Sequence, residues 1–268
     1  MAIKLQNTQG LSLNGVKLLV YGQAGAGKTT LIKTLPRPII LSAEGGLLSL
    51  QGCDLPFIEI GDMDTLNEAF EWVVSSKEAR EFESIALDSI SEIAEVLLGD
   101  EKAAAKDPRA AYGNMQDRMT RLIRAFRDIP ARNVYFSAKV EKQTNETGEV
   151  FYSPSMPGQK LGQMLPYFFD EVLALRVMQD KDGTLQRALM CAPNGLWQAK
   201  DRSGRLEPWE APDLGAVIKK IAGNVVETTG KEGEKHGRSK TGAVAAKSDA
   251  AANAATVTDA AADNAGVS

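Results

Sequence analysis

Eight consecutive residues constrain this chain more than any others. Gly22-Gln23-Ala24-Gly25-Ala26-Gly27-Lys28-Thr29 satisfies G-x-x-x-x-G-K-[ST] at every required position. The apolar run Val16-Lys17-Leu18-Leu19-Val20-Tyr21 precedes it as a buried strand, and a short helix is expected after it. The glycines let the main chain curl so that several N–H groups point at phosphate oxygens. The helix adds the positive end of its dipole. Lys28 reaches β- and γ-phosphates, and the Thr29 hydroxyl ligates Mg²⁺. Gly22, Gln23, Ala24, Gly25, Ala26, Gly27, Lys28, Thr29 and Thr30 are therefore the candidate ATP-binding residues.

A metal held this way needs an acidic partner, and Asp88, ending the strand Ser84-Ile85-Ala86-Leu87-Asp88, is the candidate. Hydrolysis also needs a base for the attacking water. Many motor ATPases place a glutamate directly after the metal aspartate, but here that position is Ser89. Glu44 is the best remaining choice. It follows the strand Pro38–Ser42, on the side of the sheet where strand ends meet the phosphate loop, and Gly45 and Gly46 let the chain turn away. Ser137 and Lys139, ending a strand from Asn133, are candidate sensors of the γ-phosphate.

The rest of the chain alternates strand and helix. Strands are expected at 38–42, 57–60, 84–88 and 133–137. Between them, helices carry Leu66, Phe70, Val73 and Val74 after an Asp64 cap, then Ile90, Ile93, Leu97 and Leu98, then Met115, Met119, Leu122, Phe126 and Ile129. This predicts an α/β fold with a mostly parallel sheet flanked by helices. Residues 172–178 and 185–192 flank a turn and predict antiparallel strands at one sheet edge. From Asn224 onward there is no aromatic residue, and Ala, Gly, Thr, Lys and Asp dominate. The expected division is an ordered domain over 1–223 and a disordered tail over 224–268. Cys53 and Cys191 both sit in apolar sequence and read as reduced, buried thiols. A single histidine, His236, argues against a histidine zinc site or a Ser-His-Asp triad. With no signal peptide and no spanning segment, a cytoplasmic protein without a membrane partner is expected.

The Walker-type loop, a glutamate after the second strand and Asp88-Ser89 in place of Asp-Glu together resemble the RecA-like branch of P-loop ATPases. More narrowly the chain is similar to small phage ATPases of the Sak type, which are RecA-related single-strand annealing proteins. The similarity runs from about Lys17 to Ala222 and includes Ala111-Tyr112-Gly113, Phe169-Asp170-Glu171-Val172 and Ala199-Lys200-Asp201-Arg202. It implies a RecA-like core, Mg²⁺-dependent ATP hydrolysis stimulated by DNA, and action on single-stranded DNA in phage recombination. Implied partners are a second copy of the chain in a filament or ring and a phage single-strand-binding protein; the location implied is the host cytoplasm. In such assemblies a cation from the neighbour reaches the γ-phosphate, and Lys200 and Arg202 match that role. On an extended segment i and i+2 point the same way, so both can reach one anion.

The net charge is −4, yet residues 100–142 carry 10 Lys/Arg against 6 Asp/Glu. The central region is therefore where a polyanion would land. Arg118, Arg121, Arg124 and Arg127 read as a basic helix face, either DNA-contacting or simply solvated. Two loops pair cations with aromatics, the combination single strands need. One is 102–114 with Arg109 and Tyr112; the other is 142–160 with Lys142, Phe151, Tyr152 and Lys160, which also reads as a plain hairpin. Two alternative functions stay open: a nucleotide-dependent assembly or recruitment module with little turnover, and a helicase or translocase motor. A small-molecule kinase is disfavoured for want of an Arg-rich lid.

Overall fold

The computed structural model describes residues 14–145 and 147–223. The tail expected over 224–268 and the N-terminal residues through Leu13 lie outside them. Strand β1 (Lys17–Gly22) is buried throughout, and its side chains divide between the two faces of a sheet. Leu18 and Val20 face one core, while Leu19 and Tyr21 face the other. Such two-sided burial is what helices on both faces of a parallel sheet require.

The other parallel strands are β2 (Pro38–Ser42), β3 (Phe57–Glu59), β4 (Ser84–Asp88), β5 (Asn133–Thr144) and β7 (Glu171–Gln179). Their order is β7-β1-β5-β4-β2-β3. β5 lies between the loop-bearing strand and the strand that ends in Asp88, and the adjacent pairs are in parallel register. At the far edge β8 (Leu185–Met190) runs antiparallel to β7, and short β9 (Lys200–Asp201) and β10 (Trp209–Glu210) pair with β7 and β8. This is the expected mostly parallel sheet with antiparallel strands at one edge. β5 outruns the sheet and forms a hairpin with β6 (Val150–Pro154).

One face is covered by α2 (Met63–Ser75), α3 (Ile90–Ala104) and α4 (Pro108–Arg127), which contribute Leu66, Val73, Ile93, Leu97, Met115 and Phe126 to the larger core. The other is covered by α1 (Lys28–Leu31) and α6 (Leu214–Ala222), which add Leu31, Leu214, Val217 and Ile221. The last helix in chain order before α6 is the short α5 (Gln159–Met164).

Three expectations are corrected. Asp62, not Asp64, caps α2, accepting a bond from the Thr65 N–H at 2.7 Å; Asp64 already lies in the first helical turn. The supposed loop 102–114 is mostly helix. Asp107 caps α4 and Pro108 occupies its first turn, leaving only 105–107 between α3 and α4. Cys191 is buried, but Cys53 is exposed, on the segment between a short 3₁₀ turn at Leu47–Leu50 and β3. Among the described residues no helix is long and apolar enough to cross a membrane.

Candidate nucleotide site

The loop after β1 turns through two left-handed glycines, Gly25 at φ +72° and Gly27 at φ +105°. A side chain would strain either position, and that is the physical reason the motif needs glycine there. Gly27 precedes α1 directly, so Lys28 and Thr29 open that helix. The Lys28 ammonium donates to the Gly22 and Gln23 carbonyls at 3.0 and 3.1 Å. Burial pulls its pKa down, against the pull of Glu44 and Asp88.

Asp88 ends β4 almost fully buried, and its two oxygens are both used. The Thr29 hydroxyl donates to Oδ2 at 2.6 Å, and the Ser137 hydroxyl of β5 donates to Oδ1. Glu44 is brought to the same place from the end of β2. The backbone N–H groups of Ala43 and Glu44 both donate to the Asp88 carbonyl, and the Ser89 hydroxyl donates to Glu44 Oε1. Ser89 is also the cap of α3. The position where a second acidic residue was missing thus holds a hydroxyl that orients the displaced carboxylate. Sequence reasoning had no signal for that role.

These groups open onto a cleft of about 560 Å³ whose wall includes Gly25, Lys28, Thr29, Glu44 and Lys139. The Lys139 ammonium is held by Glu92 and Glu95 at 2.9 Å each. Burial works against its charge, but those carboxylates outweigh it and its pKa rises. On the other flank the Arg187 guanidinium of β8 donates from Nε to the Ala26 carbonyl at 2.9 Å, bracing the loop from a strand 161 residues away in sequence. Sequence reasoning missed this residue too.

The remaining candidates are scattered. Lys200 donates to the Pro166 and Phe169 carbonyls, and Arg202 pairs with Asp170 at 2.7 Å. The pair does converge, as its spacing implied, but on the chain's own segment 166–170 rather than on an open anion. β9 pairs with the start of β7, so both cations sit at the end of the sheet opposite the phosphate loop.

Arg109 and Tyr112 lie exposed on the first turns of α4, with Lys102 5.0 Å over the Tyr112 ring. Lys160 is exposed on α5, where Gly158 just before it approaches Tyr112. Lys142 is exposed and Phe151 half-buried on the β5–β6 hairpin, and the register, with Lys142 opposite Tyr152 and Phe151 opposite Gln143, puts them on opposite faces of it. Tyr152 stacks on Trp197 at 4.5 Å, and Trp197 in turn lies against Tyr21 and Arg176. That ring is committed to packing, which corrects its reading as a platform for a base. Arg118 is paired with Glu101 and Arg127 with Asp128, so part of the basic face of α4 is already neutralised.

ATP and Mg²⁺ fit what is present. A left-handed glycine loop, a lysine at its mouth, and a hydroxyl and carboxylate in contact form a triphosphate cradle. Among the described residues no cluster of three or more His, Cys, Asp or Glu could hold a metal alone. One hydroxyl and one carboxylate suit a cation that arrives with phosphate oxygens as its other ligands. Sheet order, loop and carboxylate together define a nucleotide-binding P-loop ATPase domain. The chain belongs to the AAA domain family, whose model matches residues 14–203. Among solved structures it is similar to a KaiC-like protein from the hyperthermophilic archaeon Pyrococcus horikoshii, at 11% identity over 66% of this chain and 79% of that one, with a TM-score of 0.36. No curated protein matches the chain.

Proposed function

We propose that the chain hydrolyses Mg²⁺-ATP, with Glu44 as the base and Asp88 and Thr29 as the metal-holding pair. The observation that carries this is the lacing of Glu44 to Ser89 and to the Asp88 backbone, directly beside the loop. Lys28 leaves the loop carbonyls for β- and γ-phosphate oxygens, whose charge restores its ordinary basicity. Bound Mg²⁺ offsets charge on the transferring phosphoryl group. Glu44 takes the proton of the attacking water, and Ser89 holds that carboxylate in line. Ser137 keeps Asp88 oriented and ties its carboxylate to β5.

β5 supports the DNA reading. One twelve-residue strand carries Ser137 at the metal carboxylate and Lys142 in the hairpin. Single-stranded DNA engaged by Lys142, with Phe151, Arg109, Tyr112 and Lys160 as further contacts, would act on the site through a continuous rigid element. The same reading takes a second copy of the chain as partner, with Lys200 and Arg202 released from segment 166–170 to reach its nucleotide. Annealing or recombination of the phage type is the process proposed.

The test is steady-state ATP turnover by the full chain with and without poly-dT. Glu44→Gln is expected to lower turnover at least about a hundredfold while ATP binding is retained, the scale of losing a general base. Lys142→Ala with Phe151→Ala is expected to remove stimulation by poly-dT and leave basal turnover unchanged. Unchanged turnover in Glu44→Gln would contradict the base assignment. Turnover blind to poly-dT would contradict the DNA reading, and little turnover with or without poly-dT would leave the nucleotide-dependent assembly module as the better reading.

A further inference from the structure

Buried serines among the described residues nearly all find partners. Ser84 donates to the Pro36 carbonyl, Ser89 to Glu44, Ser91 to the Ser155 carbonyl and Ser137 to Asp88. The hydroxyls of Ser42 and Ser153 are buried with no hydrogen-bond partner. An unmatched buried hydroxyl is a cost that folded chains ordinarily avoid. Ser153 lies on β6 of the hairpin, opposite Glu141. Ser42 lies beside the metal carboxylate.

The sheet puts it there. Ile40 of β2, Ala86 of β4 and Tyr135 of β5 all face the smaller core, under α1. Ser42, Asp88 and Ser137 each follow by two residues, so they share that face. Ser42 is the register partner of Asp88, and Ser137 reaches Asp88 from the strand on its other side. A row of hydroxyl, carboxylate and hydroxyl thus crosses the ends of three adjacent strands. Thr29 of α1 donates to its middle member at 2.6 Å. Thr29 and Ser137 take the two Asp88 oxygens, and Ser42 is the member of the row left over.

We propose that Ser42 is a positioning residue for magnesium, its hydroxyl holding a water of the cation's hydration shell beside Asp88. The proposal rests on the nucleotide reading above and deepens it. Mg²⁺ gives up water reluctantly and is held by one or two protein oxygens together with phosphate, so much of its shell is water that must be oriented. Thr29 and Asp88 are the protein oxygens of that reading. A hydroxyl offers one donor and two acceptor positions to such a water. It carries no charge, so it orients without adding to the pull of the carboxylate. Residues that hold a metal's ligands in this way count for about ten- to a hundredfold in metal affinity. The mismatch that the fold leaves at Ser42 is relieved when Mg²⁺ and nucleotide bind.

Calorimetry of ATP against the full chain, in saturating Mg²⁺ and in EDTA, separates the metal's part from that of the phosphates. The ratio of the two affinities is expected to fall about tenfold in Ser42→Ala and in the volume-matched Ser42→Cys, with affinity in EDTA within about twofold of the parent. Urea unfolding without nucleotide is expected to give Ser42→Ala a midpoint at or above that of the parent, because the change removes an unmatched hydroxyl. A midpoint clearly below the parent's would assign the hydroxyl a partner within the fold and overturn the proposal. So would an unchanged affinity ratio in either variant, or equal weakening of ATP with Mg²⁺ and in EDTA. A parent chain that binds no ATP, or binds it without regard to Mg²⁺, would overturn the nucleotide reading itself, a result distinct from all of these.

Discussion

Glu171 offers a sharp test of how the far end of the sheet is held together. It is fully buried on β7, and no N–H or O–H donates to either carboxyl oxygen with ordinary hydrogen-bond geometry. Its register partner on β9 is Asp201, whose own oxygens accept from Ser203, Gly204 and Leu206. Burial raises the Glu171 pKa from 4.5 to about 8, with Asp201 adding to the rise and the Ser203 backbone offsetting part of it. A carboxyl raised in this way stays protonated in the native chain while the unfolded chain ionises. Its contribution to stability is therefore intact below about pH 4.5, declines as pH rises, and levels off above about pH 8. The decline between about pH 5 and pH 8 amounts to roughly 3 kcal/mol as an upper figure, at about 1.4 kcal/mol per unit. Glu171→Gln removes the ionisation and offers Asp201 a permanent N–H donor. Urea unfolding of the full chain at both pH values is the assay, and the variant-minus-parent difference cancels every other carboxylate. The variant is expected to gain on the parent by about 2–3 kcal/mol more at pH 8 than at pH 5. Parallel stability curves would refute the argument, because they would mean that Glu171 ionises normally in the folded chain.

Other outcomes follow from the same contacts. Ser89→Ala leaves Glu44 without its hydroxyl donor, so turnover is expected to fall about tenfold with nucleotide affinity preserved; steady-state rates beside calorimetry check this, and the loss is expected in kcat rather than KM. Cys53 is exposed, whereas burial pushes the Cys191 thiol up to about 12. A maleimide is therefore expected to label one thiol in the native chain and both in urea, as intact mass would record. Lys17 is buried with its ammonium on the Asn14, Ile129 and Arg132 carbonyls. Lys17→Met strands those acceptors and is expected to cost about 2–4 kcal/mol in chemical denaturation.

The phosphate loop was readable because its chemistry is local: glycines, lysine and threonine at set spacing turn any chain the same way. The strands Pro38–Ser42 and Ser84–Asp88 lie where their apolar runs predicted, since a strand covered on both faces leaves a continuous apolar signature. Asp88 and Glu44 were readable by position at strand ends. What escaped depends on contacts distant in sequence. Nothing near Arg187 signals that it reaches Ala26, and nothing near Tyr152 signals its stack on Trp197. Lys200 and Arg202 carried the right spacing, but that spacing cannot say which acceptors the folded chain offers them. The segment 102–114 misled because its Lys, Asp and Gly content looks like a loop, while Asp107-Pro108 supplies a helix start that outweighs it.

The central claim is that the loop from Gly22 to Thr29, with Asp88 beside it, clasps a nucleoside triphosphate and its magnesium. Isothermal calorimetry of ATP against the full chain tests it most directly, with and without EDTA and with Lys28→Ala as the paired variant. Saturable one-site binding to the parent, weakened by EDTA and lost in Lys28→Ala, is the expected result. Binding that is absent from the parent, or that survives both chelation and the loss of Lys28, would contradict it.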